Sequence, residues 1–292
     1  MTFLQYIVYT LYKNIFKQQL KDIKMLSYLS HSELITENII ALAIFMFGAS
    51  TGSFLNVCIY RIPKAESIIF PGSFCPVCKS SIPFYLNIPI ISFIILLGKC
   101  RKCRSAISVR YPIVELITGI FAVITVIKFG LTVEALFWFS FIALLIVISF
   151  IDIDLQIIPD ILSIPGIFIF SLAPLIVSEM TIKETVTGIL MGGGSLYAVA
   201  MLYYLIRKDE GMGGGDIKLL AMIGAATGWK GVAFTIFSSS LLGTVAGVLI
   251  MIATRKADAK LRIPFGPYLA AGALIYIFQG EFLISWYFEF LY

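Results

Sequence analysis

The sequence predicts an all-α polytopic membrane protein of about eight transmembrane helices with a small cytoplasmic loop domain. Three observations predict it. Hydrophobic residues make up 59% of the 292 and charged residues only 13%, where soluble domains hold about 45–50% and roughly 25%. Mean hydropathy is +0.96, and apolar runs close to the ~20 residues that cross a bilayer recur along the chain. Lysine and arginine gather between alternate runs, as cytoplasmic loops do. The net charge of +5 follows from that bias and calls for no nucleic-acid partner.

The first 37 residues carry Lys13, Lys17 and Lys21 at i, i+4, i+8, followed by Lys24, on an otherwise apolar background. The pattern predicts an N-terminal amphipathic extension lying on the membrane; an alternative is that Met25 is the true start. The first transmembrane helix is expected at 38–60. Segment 61–110 follows, with Arg61, Lys64, Lys79, Lys99, Arg101, Lys102, Arg104 and Arg110 against one acid, Glu66. That loop belongs on the cytoplasmic side. The bundle occupies 111–292, with spans expected at 111–129, 133–153, 158–178, 185–206, 217–228, 231–253 and 266–288. Alternation puts 207–216 and 254–265 inside as well, with six further cations, whereas the opposite loops keep only Lys128, Lys183 and Lys230. The sixth span covers only ~18 Å at 1.5 Å per residue, so it must pack within the bundle or end at a cavity.

Two Cys-x-x-Cys pairs lie in the basic loop, Cys75 with Cys78 and Cys100 with Cys103. Two such knuckles converging on one point suit tetrahedral thiolate coordination of zinc, and a cytoplasmic loop disfavours disulfides. Four sulfurs leave the metal no open position, so the zinc is expected to be structural. Cys58, alone near the end of the first span, reads as a small buried apolar residue.

Carboxylates inside so apolar a chain are costly and point to function. Asp152, Asp154 and Asp160 close the third span in SFIDIDLQIIPD, and Asp216 stands behind the glycine cluster of GMGGGDIKLL. Predicted topology brings both to the cytoplasmic face, 64 residues apart in sequence. Two carboxylates sharing a site divide acid and base roles between them, and Gly213 and Gly215 would let a peptide backbone come close. Taken alone, Asp216 reads more readily as a helix cap than as a catalyst, and the aspartate cluster reads equally as a cation site; their placement on one face favours the pair. Asp152 and Asp154 lie ~200° apart around a helix, so only one can face Asp216. Periodicity does not choose.

Glu115 sits about a turn inside the second span, either snorkelling or part of the catalytic or substrate cavity. Lys218 follows Asp216 by two residues and is expected to point away from it. The GxxxG pairs Gly188–Gly192 and Gly243–Gly247 read as helix-packing contacts.

The blocks GASTGSFLNVCIYRIP (48–63), CPVC…GKCRKC (75–103), RYPIVELITG (110–119), IDIDLQIIPD (151–160), GMGGGDIKLLAMIGA (211–225) and IPFGPYLAAGA (263–273) together resemble the type IV prepilin peptidases. These are membrane aspartic proteases of the GxGD kind. The resemblance implies Asp152, seven residues before Pro159, and Asp216 as catalytic residues, with Asp154 and Asp160 supporting them. It implies type IV prepilin or pseudopilin substrates, cut after a glycine at the end of a short basic leader, in the bacterial inner membrane with the active site facing the cytoplasm. Many members also N-methylate the new terminus with S-adenosylmethionine, and Gly98-Lys99-Cys100 resembles the bifunctional ones. A reading from another class, a cation- or proton-coupled transporter, would use the same aspartates, but at the midplane and with inverted repeats.

Overall fold

The computed structural model describes residues 31–208, 213–254 and 264–291. The amphipathic segment predicted at 1–37 lies mostly outside them. The chain divides into two compact units, Met1–Met46 and Phe47–Tyr292. The described part of the first is helical; the second holds the cysteine loop and the helices that carry the aspartates.

The membrane helices are α1 (His31–Arg61), α3 (Arg110–Phe129), α4 (Val133–Leu155), α7 (Ile182–Arg207), α8 (Gly214–Thr254) and α9 (Gly266–Leu291). Between them lie the shorter α2 (Ile91–Ile95), α5 (Asp160–Phe170) and α6 (Ala173–Ile176). The six long helices are each apolar and long enough to cross a membrane. Large apolar side chains such as Leu190, Leu202, Ile206 and Leu249 face outward, a surface suited to lipid rather than water.

One predicted span takes another form. The stretch expected at 158–178 breaks into α5 and α6, with Pro165 inside α5 and Pro174 at the start of α6. Spans 217–228 and 231–253 form the two helical halves of α8, separated by a kink at Gly228, where φ is 70°, a backbone conformation that favours glycine.

α4 is the most buried membrane helix, 67% of its apolar window being covered, because it has two core faces. Phe141, Leu145 and Ile148, at helical spacing, pack with Phe170, Leu219, Met222 and Leu269. Ile142, Ile146 and Ile151 pack with Leu55, Cys58, Ile59 and Val114 on the other side. A helix apolar all round is one that other helices surround. Glycines set the closest crossings. A Cβ on Gly188 would lie 2.1 Å from the Gly224 carbonyl oxygen, and one on Gly192 2.4 Å from that of Leu220. This GxxxG pair therefore packs α7 on α8 as expected. Gly243 meets nothing closer than 3.7 Å and marks no tight crossing. Gly48 and Gly52 provide a contact the periodicity did not single out, against Ala122, Thr118 and Glu115 of α3.

Candidate active site and metal centre

α4 ends at Leu155, where Gln156 takes a left-handed conformation and donates its N–H to the Asp152 carbonyl. This places Asp152 in the last turn of the central helix. Its side chain turns inward and the residue is 5% exposed; its Oδ2 accepts the backbone N–H of Gly266 at 2.9 Å. Gly266 opens α9, whose unpaired N–H groups favour a carboxylate. Nothing wider than glycine fits there, since a Cβ on Gly266 would stand 2.8 Å from the same Oδ2. Sequence reasoning gave Gly266 no role of its own; its signal is a Gly-Pro pair opening an apolar run.

Asp216 lies in the first turn of α8, three residues beyond Gly213, whose carbonyl accepts the Asp216 N–H at 3.3 Å. It stands inside the helix rather than at its cap. The glycines before it serve contact rather than unusual dihedrals: none of Gly213, Gly214 and Gly215 has a positive φ. A Cβ on Gly215 would meet the Ile158 Cβ at 2.7 Å, while Gly213 and Gly214 are open. Ile158 also reaches Gly266, 3.4 Å from the Cβ position. The ends of α4, α8 and α9, which carry Asp152, Asp216 and Gly266, thus meet around Ile158.

The other acids are neutralised by partners that sequence proximity did not reveal. Asp154, on the outward face of α4, pairs with Arg110 at the start of α3. Asp160, at the start of α5, pairs with Lys218 at 2.6 Å. Lys218 does point away from Asp216, toward another helix. Glu115 is buried at 7% exposure, and its Oε2 accepts the Ile90 N–H at 2.7 Å. It lines a cavity whose wall includes neither Asp152 nor Asp216.

The cysteine loop is built from two copies of one turn. Cys75 N–H bonds to the Ser80 carbonyl and Lys79 N–H to that of Cys75; Cys100, Ser105 and Arg104 repeat the pattern. Lys79 and Arg104 both take φ near 60° (57° and 60°). The four sulfurs lie within 4.8 Å of one another, the one such group among the described residues, and could hold a metal ion. Cys75 and Cys103 Sγ are 3.8 Å apart. Sulfurs about 2.3 Å from a central ion stand about 3.8 Å apart in a tetrahedron, whereas a disulfide needs ~2.05 Å. Backbone N–H groups of Cys78 and Val77 help hold the Cys75 thiol down to about 6. Cys100 is pushed up despite N–H groups from Cys103 and Lys102, because burial and the neighbouring Cys75 and Cys103 oppose a further charge. A cation at the centre removes that conflict. The loop is pinned to the bundle by Arg61, which donates to the carbonyls of Ser67, Pro71 and Gly72.

Comparison with known proteins bears on both parts. Residues 46–129 match the bacterial peptidase A24 N-terminal domain, and residues 139–248 match the type IV leader peptidase family. A prepilin leader peptidase/N-methyltransferase of Pseudomonas aeruginosa is 36% identical over 85% of this chain and 93% of its own length. The chain belongs to the type IV leader peptidase family. Proteins of the same description from Legionella pneumophila and Neisseria gonorrhoeae are each 33% identical, over 84% and 79% of this chain and 93% and 87% of theirs. No solved structure matches the chain. In this type IV leader peptidase family member, the boundary between the matched domains runs from the end of α3 into the first turns of α4. The four-cysteine cluster and the Glu115 cavity lie on one side of it and both aspartates on the other.

Proposed function

We propose that the protein is a membrane aspartic endopeptidase that cuts the short basic leader from type IV prepilin-like proteins after a glycine, at the cytoplasmic membrane face. Asp152 and Asp216 are its catalytic residues. The observation that carries this reading is the convergence around Ile158 of the helix ends that bear Asp152 and Asp216, in a chain of this family. With one carboxylate ionised and the other protonated, the first takes a proton from water as it attacks the scissile carbonyl, and the second donates to the carbonyl oxygen. The open backbone at Gly213 and Gly214 leaves room for the substrate chain alongside. A leader held in the cytoplasm by its charge, ahead of a helix in the bilayer, would present its scissile bond at this edge. The pairing of Asp154 with Arg110 and Asp160 with Lys218 weighs against a cation pathway through these acids.

The loop cysteines hold a structural zinc; the sulfur spacing and the N–H groups directed at Cys75 support this. The relatives' descriptions extend the reading to N-methylation of the new terminus, for which S-adenosylmethionine would supply the methyl group. Mass spectrometry of a co-expressed prepilin tests both activities. A shortened, N-methylated terminus is expected, and an uncut leader would refute the peptidase reading.

A further inference from the structure

The chain between the two cysteine knuckles, residues 79–99, runs to the bundle and back. Its turning point is tied to two membrane helices. Ile90 donates its N–H to Glu115 Oε2 at 2.7 Å. Glu115 lies five residues inside α3, about 7 Å from the start of that helix at 1.5 Å per residue. Asn87 and Pro89 share a cavity wall with Ser50 and Ser53 of α1, and a Cβ on Gly52 would stand 2.7 Å from the Glu115 Cα. The two helices therefore agree on the level at which the chain turns. α3 has 20 residues, a length of ~30 Å that matches the hydrocarbon core. That level falls inside the leaflet on the loop side.

α2 starts at this turn with its faces reversed from those of a helix in water. Ser92 is buried and Phe93 and Leu96 are half-buried, whereas Ile91, Ile94 and Ile95 share the outward face and Leu97 follows them. Ile94, Ile95 and Leu97 are 63%, 70% and 83% exposed. The backbone is equipped for lipid too. Ile88 donates its N–H to Ser92 Oγ, Pro89 has no N–H, and Ile90 has Glu115. At the far end, Leu97, Gly98 and Lys99 donate to the carbonyls of Ile94, Phe93 and Leu96. Backbone in lipid finds no water to pair with and needs such closure. Cations follow at once in Lys99, Arg101, Lys102 and Arg104, all exposed, and the Arg101 guanidinium donates to Tyr85 Oη at 3.2 Å across the two limbs. Cations beside an apolar face at the membrane boundary match anionic headgroups.

We propose that α2 and Leu97 form a re-entrant lipid anchor. Ile94, Ile95 and Leu97 lie among the acyl chains of the loop-side leaflet, and Lys99, Arg101 and Lys102 hold anionic phospholipid headgroups. Both limbs of the excursion end in cysteine knuckles, at Cys78 and Cys100, so the anchor also keeps the four-cysteine cluster at headgroup level.

The test uses the full chain in nanodiscs, with a fluorescent amino acid placed singly at position 95, 97 or 102. Only preparations that elute as the unsubstituted protein does are compared. Phospholipids brominated on the acyl chain are expected to quench the probe at 95 and 97 as strongly as one at Leu190, on the outward face of α7. Aqueous iodide should spare both and quench the probe at 102. Iodide quenching at 95 and 97 without bromolipid quenching overturns the anchor. So does protection from both quenchers, which would mean that protein, such as a second copy of the chain, covers this face. At equal mole fraction, brominated phosphatidylglycerol should quench the probe at 97 more than brominated phosphatidylcholine does. Each cation is expected to account for about fivefold of that local enrichment, so Arg101→Gln/Lys102→Gln should abolish it. Equal quenching by the two lipids with Arg101 and Lys102 intact overturns the headgroup contact.

Discussion

The Gly266 N–H donates to Asp152 Oδ2 at 2.9 Å, across 114 residues of sequence. One backbone group at the start of α9 thereby orients a carboxylate at the end of α4. Because a Cβ on Gly266 would stand 2.8 Å from that oxygen, Gly266→Ala must displace the Asp152 carboxylate. Misplacement of about 1 Å can cost ~100-fold in rate. We expect prepilin cleavage by Gly266→Ala to fall ten- to a hundredfold in kcat with KM little changed. Wild-type kinetics would show that the contact does not orient the acid.

Asp152→Asn and Asp216→Asn each remove one titratable member of the pair, and neither partner can do both tasks. A loss of about a thousandfold or more in cleavage is expected, within the ~10²–10⁴ typical of general acid–base groups. Expression and metal content should be unchanged. Normal processing by either variant would end the proposed mechanism.

Asp154→Asn should behave differently. Its ion pair with Arg110 is partly exposed, with side-chain exposures of 38% and 23%, and such pairs contribute about 0–1 kcal/mol. Cleavage within a few-fold of wild type is expected in the same assay. A loss as complete as that of Asp152→Asn would show that the two aspartates have been assigned the wrong way round.

Elemental analysis of the purified protein should find close to one zinc per chain, lost in Cys75→Ser/Cys100→Ser. Since the ion would be held by four sulfurs with no position open, its removal should act through folding of the loop. Chelation should therefore increase protease sensitivity within 61–110 before cleavage is lost. A zinc-free active protein would contradict this.

Helix packing gives a paired stability test. Gly188→Ala forces a methyl group to within 2.1 Å of the Gly224 carbonyl oxygen, and overpacking of this kind costs about 1–3 kcal/mol. The melting temperature in detergent should fall. Gly194→Ala, on the same helix with nothing within 4 Å, should leave it unchanged or raise it, because alanine is the better helix former.

The all-α membrane class, the positions of the long helices and the four-cysteine cluster were all legible in the sequence. Each depends on local quantities: apolar runs that match the bilayer, and Cys-x-x-Cys pairs whose turn positions the sulfurs. The tertiary structure decided how the acids are deployed. Helical geometry says that Asp152 and Asp154 face apart, but only the packing of α1, α3, α8 and α9 around α4 shows which one turns inward. The partners of Asp154 and Asp160 are Arg110 and Lys218, 44 and 58 residues away, and the sequence taken alone left that cluster without cations. Glu115, a candidate for the aspartate site on paper, is drawn to the cysteine loop by the Ile90 N–H. Span 158–178 breaks after Phe170, where Pro174 lacks the N–H that would continue the helical hydrogen bonding. Periodicity records which face of a helix is apolar, whereas the identity of a charge's partner is set by which helix ends converge.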